Sequence, residues 1–208
     1  MADRRVTILS DRALTIGVAS AAEARGIAER LRQEVMFEEV VPGLDSVSVL
    51  VNPLRKTLQE AGRVLEEFAG RSTPIDERAA PLVEIPVRYG GEDGPDLGRV
   101  ARACDLSPDE VIALHSGAQY TVEILGFLPG FAYLGGLDPR LATERLAEPR
   151  LRVPAGSVGI GGSFSGIYSL DGSGGWPLVG RTGMALFDAD AEQPFVLEPG
   201  RRVRFVPQ

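Results

Sequence analysis

The sequence predicts an α+β protein in two parts: a small open α/β sandwich of ferredoxin-like type over residues 1–80, then a β-barrel over residues 81–208. Three observations carry this. Short apolar runs alternate with helical patterns up to about residue 80, most glycines fall between residues 90 and 183, and from Tyr120 onward short β-rich pieces are separated by Gly and Pro. Interleaved strands and helices build a layered sandwich, whereas many short strands with glycine turns argue for a closed or partly closed barrel.

In the first part, Val6–Leu9 and Ala13–Val18 read as strands around a turn at Ser10–Arg12. Ser20 with Glu23 three residues on is a capping box opening a helix whose apolar positions are Ile27, Leu31 and Val35. Phe37–Val41 and Ser46–Val51 read as strands joined by the turn Pro42–Asp45. Asn52-Pro53 is expected to cap a second helix with Leu54, Leu58, Ala61, Leu65 and Phe68 on one face. Leu82–Tyr89 follows as a strand and completes the order expected of the sandwich. Residues 71–81, RSTPIDERAAP, are polar with two prolines and read as the linker. Beyond it, ARACDL is a short helix, and Ser107-Pro108-Asp109-Glu110 opens another that ends near His115.

Composition narrows the function. The chain has 208 residues, 44% of them hydrophobic and 25% charged, the balance of a soluble globular protein. No apolar run approaches the ~20 residues that span a bilayer, and the N-terminus lacks a secretory signal's apolar segment, so a cytoplasmic location is expected. A net charge of −7 without a basic cluster argues against a nucleic-acid partner. The single cysteine, Cys104, is read as a small core residue, and one His with one Cys is too few ligands for a Cys/His zinc site. No metal site is expected.

Three segments could carry chemistry. GFLPGFAYLGGLDP, residues 126–139, combines aromatics with glycine and proline and no helical or strand period. A rigid loop presenting Phe127, Pro129, Phe131 and Tyr133 suits a pocket wall, a partner surface or a plug at a barrel mouth. VPAGSVGIGGSFSGIYS, residues 153–169, is glycine-rich and includes Gly156, Ser157 and Tyr168, but the chain's one lysine, Lys56, lies far away in sequence. No GxxxxGKS motif is present, which excludes a Walker-type loop; an anion-binding nest of backbone amides is the weaker alternative. GSGGWPLVGRT, residues 172–182, carries the only tryptophan, Trp176, and Arg181, which could clamp a carboxylate or phosphate or else form a salt bridge. His115 is the sole imidazole available for acid–base work, and no GxSxG elbow supports a serine triad.

In order, IPVRYGGEDGPDL, LSPDEVIALHSGAQYTVEILGFLPGFAYLGGLDPRL, EPRLRVPAGSVGIGG, GIY, GGWPLVGRT and LFD resemble the family of the 5-oxoprolinase B subunit, kinase A inhibitor and allophanate hydrolase subunit 1. The resemblance covers nearly the whole chain. It implies that the barrel is cyclophilin-like and that the chain is an accessory subunit of an ATP-dependent 5-oxoprolinase. Such an enzyme opens 5-oxoproline to glutamate with a larger, C-type subunit and a separate lyase-type subunit, and ATP is the co-substrate of the complex. It equally implies two alternatives, an inhibitor of a sensor histidine kinase and a part of a urea- or allophanate-type carboxyltransferase or amidohydrolase. His115 and Arg181 are the catalytic candidates. Tyr120, Phe127, Pro129, Phe131, Tyr133, Gly156, Ser157, Tyr168 and Trp176 are the substrate-binding candidates. The sequence departs from the family at Phe164-Ser165, where Gln-Thr is usual, at Ser169 and Ser173, where proline is usual, and at Gly183.

Overall fold

The computed structural model describes residues 5–71 and 79–208. Two compact units divide the chain, Met1–Asp76 and Glu77–Gln208. Most of the linker expected over residues 71–81 lies outside the described residues.

The first unit is one antiparallel sheet with two helices. Strands β1 (Val6–Ile8), β2 (Ala13–Gly17), β3 (Phe37–Pro42) and β4 (Ser46–Val51) lie in the order β1-β2-β4-β3. In β4 the valines and serines alternate, so Val47, Val49 and Val51 are buried while Ser46 and Ser48 stay half-exposed. Helices α1 (Ala21–Leu31) and α2 (Leu58–Gly70) bury Ala24, Ile27, Leu31, Ala61 and Leu65 against those valines. The Ser20 hydroxyl accepts from the Glu23 amide at 3.2 Å, as expected of the cap, while Glu23 accepts at 2.7 Å from the amide of Ala19, the residue before the cap.

Three expectations change here. The sheet's fourth strand comes from the N-terminus, because β1 pairs with β2 (Val6↔Ile16), while Leu82–Tyr89 pairs with barrel strands instead. The second helix starts five residues later than Asn52 suggested: Thr57 is the cap, with Glu60 reaching back, and Asn52 holds a turn by accepting from the Leu54 amide. Leu54 and Val35 lie outside their expected helices and are exposed, since neither has a core face to join.

The second unit is a closed barrel. Its strands are β5 (Leu82–Tyr89), β6 (Tyr120–Leu125), β7 (Ala132–Gly135), β9 (Ser157–Gly161), β10 (Phe164–Ile167), β12 (Leu178–Arg181) and β13 (Arg202–Pro207). They run around the barrel as β10-β7-β6-β13-β5-β12-β9, and β9 pairs back onto β10. Among the described pairings only β13 with β5 is parallel. Closure pairs each of these strands on both sides, which removes the open edges of a flat sheet. A separate ribbon joins β8 (Arg150–Val153) to β11 (Gly172–Gly174). Helices α3 (Leu97–Ala103) and α4 (Pro108–Gly117) pack Val100, Ala101 and Val111 onto the barrel core of Ile85, Val122, Leu134, Ile160, Val179 and Phe205. Cys104 caps α3 half-buried against that core.

Asp96 fastens this arrangement. Its carboxylate accepts from the Leu178 amide at 2.7 Å and from Arg150 Nη2 at 2.8 Å, joining the start of α3 to β12 and β8. Helix α4 begins at a complete capping box, with Pro108 at its first position and Ser107 and Glu110 bonded reciprocally. Replacing Ser107 by Ala removes one of those bonds, and we expect a loss of about 1 kcal/mol, read as a lower urea midpoint at unchanged slope.

Candidate functional site

The pleat of β9 and β10 sorts side chains to the two faces of the barrel wall. Val158, Ile160, Ser165 and Ile167 point into the barrel core; Gly159, Gly161 and Gly166 point outward, beneath Trp176. A Cβ on Gly161 would lie 2.3 Å from Trp176 Cε2, and one on Gly166 would lie 2.7 Å from Trp176 Cζ3 and 3.0 Å from Phe131 Cζ. Only hydrogen fits at these positions, so the indole ring lies against the strands.

Phe131 is the hub of the aromatic cluster on this face. Its ring meets those of Tyr133, Tyr168, Trp176 and Phe127 edge to face, with centroids 5.0, 5.0, 5.6 and 5.6 Å away. Such pairs add about 0.5–1.5 kcal/mol each beyond the area they bury. Phe131, Tyr168 and Trp176 are buried, Tyr133 is half-buried, and Phe127 is 60% exposed. Together with Arg145, Pro149 and Ser173–Gly175 they line a cleft of about 250 Å³. That is just below the range of drug-sized ligand pockets, which run about 300–1,000 Å³.

Phe127 stands at the rim in strained backbone. Its φ is +73°, and the Leu128 amide donates across it to the Gly126 carbonyl at 3.0 Å, a γ-turn with positive φ. The loop is held on both sides: the Gly126 amide donates to the Phe131 carbonyl at 3.1 Å, and Ser169 Oγ donates to the Pro129 carbonyl. A non-glycine residue in such a conformation costs about 1–3 kcal/mol, a strain retained where a side chain is being presented.

His115 lies elsewhere. It is completely buried inside the barrel, stacked on Phe205 at 4.6 Å. Its Nδ1 is 2.7 Å from the Tyr89 hydroxyl, and its Nε2 is 2.8 Å from Ser165 Oγ. Ser165 donates to the Gly159 carbonyl, so the tautomer that satisfies every group carries its proton on Nε2 and accepts at Nδ1 from Tyr89. Tyr120 donates to the His115 carbonyl at 2.9 Å, sealing the helix end. Burial pulls the His115 pKa down to about 3, which keeps the ring neutral at physiological pH. The expected helix-end acid–base group is therefore a core histidine with both ring nitrogens engaged.

The remaining candidates fall outside the cleft. Arg181 Nε donates to the Ala155 carbonyl at 3.0 Å, and its charge acts on Asp93 and Asp171. Gly156 and Ser157 bracket Tyr168 by backbone bonds of 2.7 and 2.9 Å, and a Cβ on Gly156 would strike the Thr182 carbonyl. Pro129 is exposed in the loop. The structure thus gathers Phe127, Phe131, Tyr133, Tyr168 and Trp176, places His115 and Tyr120 inside the barrel, and leaves Arg181, Gly156, Ser157 and Pro129 off the cleft lining. Sequence reasoning missed Arg145, Tyr89 and Ser165. Arg145 carries no local signal in ATERLAEP; the Ser165 departure from the family pattern was a signal for a changed interior contact. Among the described residues no group of three or more His, Cys, Asp and Glu could hold a metal ion. No described helix is long and apolar enough to cross a membrane.

A sandwich unit and a barrel with an aromatic cleft on its wall define a two-unit protein of mixed α and β structure. The chain belongs to the family of the carboxyltransferase domain, subdomain C and D, whose model matches residues 4–197. It is 45% identical over 182 residues to the 5-oxoprolinase B subunit of Escherichia coli O157:H7, covering 88% of this chain and 83% of the relative. It is 40% identical over 180 residues to that of Bacillus subtilis (strain 168), covering 82% and 75%. Among solved structures it is similar to PH0987 from Pyrococcus horikoshii, at TM-score 0.61 and 39% identity over 98% of this chain and 97% of the other. It is also similar to TTHA0988, at TM-score 0.78 and 36% identity, where it covers 95% of itself but only 40% of the longer chain. The urea amidolyase of K. lactis, at 21% identity and TM-score 0.76, shares the fold.

Two outcomes follow from this geometry. Between pH 6.5 and 4.5 the unfolded chain takes up a proton at His115 that the folded protein refuses, so stability complete above pH 6.5 falls as pH drops, by at most about 1.4 kcal/mol per pH unit. The depressed carboxylates, such as Asp138 held down to about 2 by its hydrogen bonds with Arg140, act only below that window. Thermal melts should show the decline, and His115→Gln should flatten it. Second, Phe127→Gly relieves the γ-turn, so its melting temperature should hold or rise while the function of the cleft falls. A clear drop in melting temperature would mean the ring is there for packing.

Proposed function

We propose that this chain is the accessory subunit of an ATP-dependent 5-oxoprolinase and that the aromatic cleft of its barrel serves the substrate. The observation that carries the reading is identity of 40–45% over most of the chain to three relatives named as the B subunit of 5-oxoprolinase. The cleft supports it physically, being small, mostly apolar and aromatic, as a small ring compound requires. On this reading the chain works with a larger, C-type subunit and a lyase-type subunit in the cytoplasm, and ATP is consumed by the complex. An amide ring is a poor electrophile, so coupling its opening to ATP is chemically reasonable. The division is into residues 1–80 and 81–208. The first part is a ferredoxin-like sandwich whose edge strand comes from the N-terminus, and the second is a cyclophilin-like barrel. The β1-β2-β4-β3 order supports the former. His115 and Arg181 then support the site from outside the cleft.

Exposure of Phe127 on a rigid loop favours a second reading, docking on another protein, including the helices of a sensor histidine kinase. Reconstitution separates them. The purified chain alone should release no glutamate from 5-oxoproline and ATP. Addition of the larger and lyase-type subunits should give ATP-dependent release and a larger species on a sizing column. Turnover by the isolated chain, or urea consumed in place of 5-oxoproline, would overturn the proposal; binding to a dimerisation-helix domain without the other subunits would favour the second reading.

A further inference from the structure

Arg145 is the only charged side chain among the residues lining the aromatic cleft. Its backbone is tied to another segment of the lining, because the Leu146 amide donates to the Gly175 carbonyl at 2.6 Å. Its guanidinium has no hydrogen bond or ion pair among the described residues. Neighbouring arginines of the same unit contrast with it: Arg140 pairs with Asp138, Arg152 with Asp171, Arg88 with Asp93 and Arg150 with Asp96. In a chain of net charge −7, carboxylate partners are plentiful, yet this cation of the cleft lining stands uncompensated among the described residues.

A second guanidinium, paired with Asp96, keeps one free donor beside it. Arg150 sits on β8 across from Gly174 of the cleft lining, and its Nη1 is buried without a hydrogen-bond partner. Burial raises the Tyr168 pKa, and the charges of Arg145 and Arg150 both oppose that rise. The unpaired charge of Arg145, with Phe131 and Trp176 rings in the same lining, matches an anion carried on a small flat apolar body. Arg145 is exposed at the cleft, and its planar guanidinium can meet a carboxylate through two parallel bonds.

We propose that the cleft binds a small cyclic carboxylate, with its ring against the aromatic side chains and its carboxylate on Arg145, and that Arg145 thereby sets specificity. This rests on the 5-oxoprolinase reading for the identity of the ring, a lactam, but not for the recognition of its carboxylate.

Trp176 is the only tryptophan of the chain and lines the cleft, so its fluorescence reports occupancy directly. The titrants are 5-oxoproline, the neutral lactam 2-pyrrolidone and benzoate, added to the isolated chain and to the reconstituted complex. Saturable quenching or a spectral shift by 5-oxoproline is expected, with 2-pyrrolidone binding roughly ten- to hundred-fold more weakly. Arg145→Gln should abolish that difference while leaving the affinity for 2-pyrrolidone unchanged. Arg145→Lys should restore part of it. Arg102→Gln, which removes an exposed charge from α3, should change nothing. In the complex, Arg145→Gln should raise KM for 5-oxoproline by a similar factor. Equal affinity for the acid and the neutral lactam, an Arg145→Gln protein that titrates like its parent, or no response to millimolar ligand in either preparation overturns the proposal. Arg145-dependent binding of benzoate with no binding of 5-oxoproline overturns the 5-oxoprolinase reading and leaves Arg145 as the carboxylate contact.

Discussion

Strand β10 places two unlike environments one residue apart. Ser165 points into the barrel and bonds His115; Gly166 points outward and receives the edges of Trp176 and Phe131. The pleat makes this unavoidable, since successive residues of a strand face opposite sides. A one-residue slip of β10 would bury the Phe164 ring in the barrel and turn Ser165 toward the indole. Register is held from inside by the Tyr89–His115–Ser165 chain and from outside by glycines that admit no side chain. The cleft depends on both.

The buried polar chain is well matched to its surroundings. A neutral imidazole satisfied at both nitrogens avoids the cost of an unpartnered polar group in the core, and the same burial forbids its protonation. It joins three elements distant in sequence: β5 through Tyr89, α4 through His115 and β10 through Ser165. Asp96 performs a similar task on another side, tying α3 to β12 and β8. The floor of the cleft is therefore rigid, and the freedom that remains lies in its rim, in the exposed Phe127 ring and the Arg145 side chain.

Rigid floor and charged rim divide the work of recognition. Aromatic area supplies affinity without much selectivity, because any flat apolar body can lie on it. A lone guanidinium supplies selectivity, because a neutral ligand leaves it as it was and an anion gains a charge-assisted pair. Strain at Phe127 belongs to the same division, since the γ-turn holds a large ring out of the core where hydrophobic burial alone would have drawn it in.

Much of this was legible in the linear sequence. The Ser20 cap and the Ser107 capping box, the alternation of β4, and the glycine-punctuated run of barrel strands all rest on spacings of two to four residues, which local chemistry dictates. The aromatic loop announced itself by composition, and ordered motifs along the whole chain carried the family. What lay beyond reach depends on pairing between distant segments. The N-terminal strand and Leu82–Tyr89 look alike in isolation, and only partner strands decide which joins the sandwich sheet and which the barrel. Thr57 prevailed over Asn52 as a helix cap because the core contacts begin at Leu58 and Ala61. His115 reads as an available base until the barrel closes around it. Arg145 reads as one surface arginine among many, until chain folding sets it in the lining of an aromatic cleft with, among the described residues, no carboxylate to pair with it.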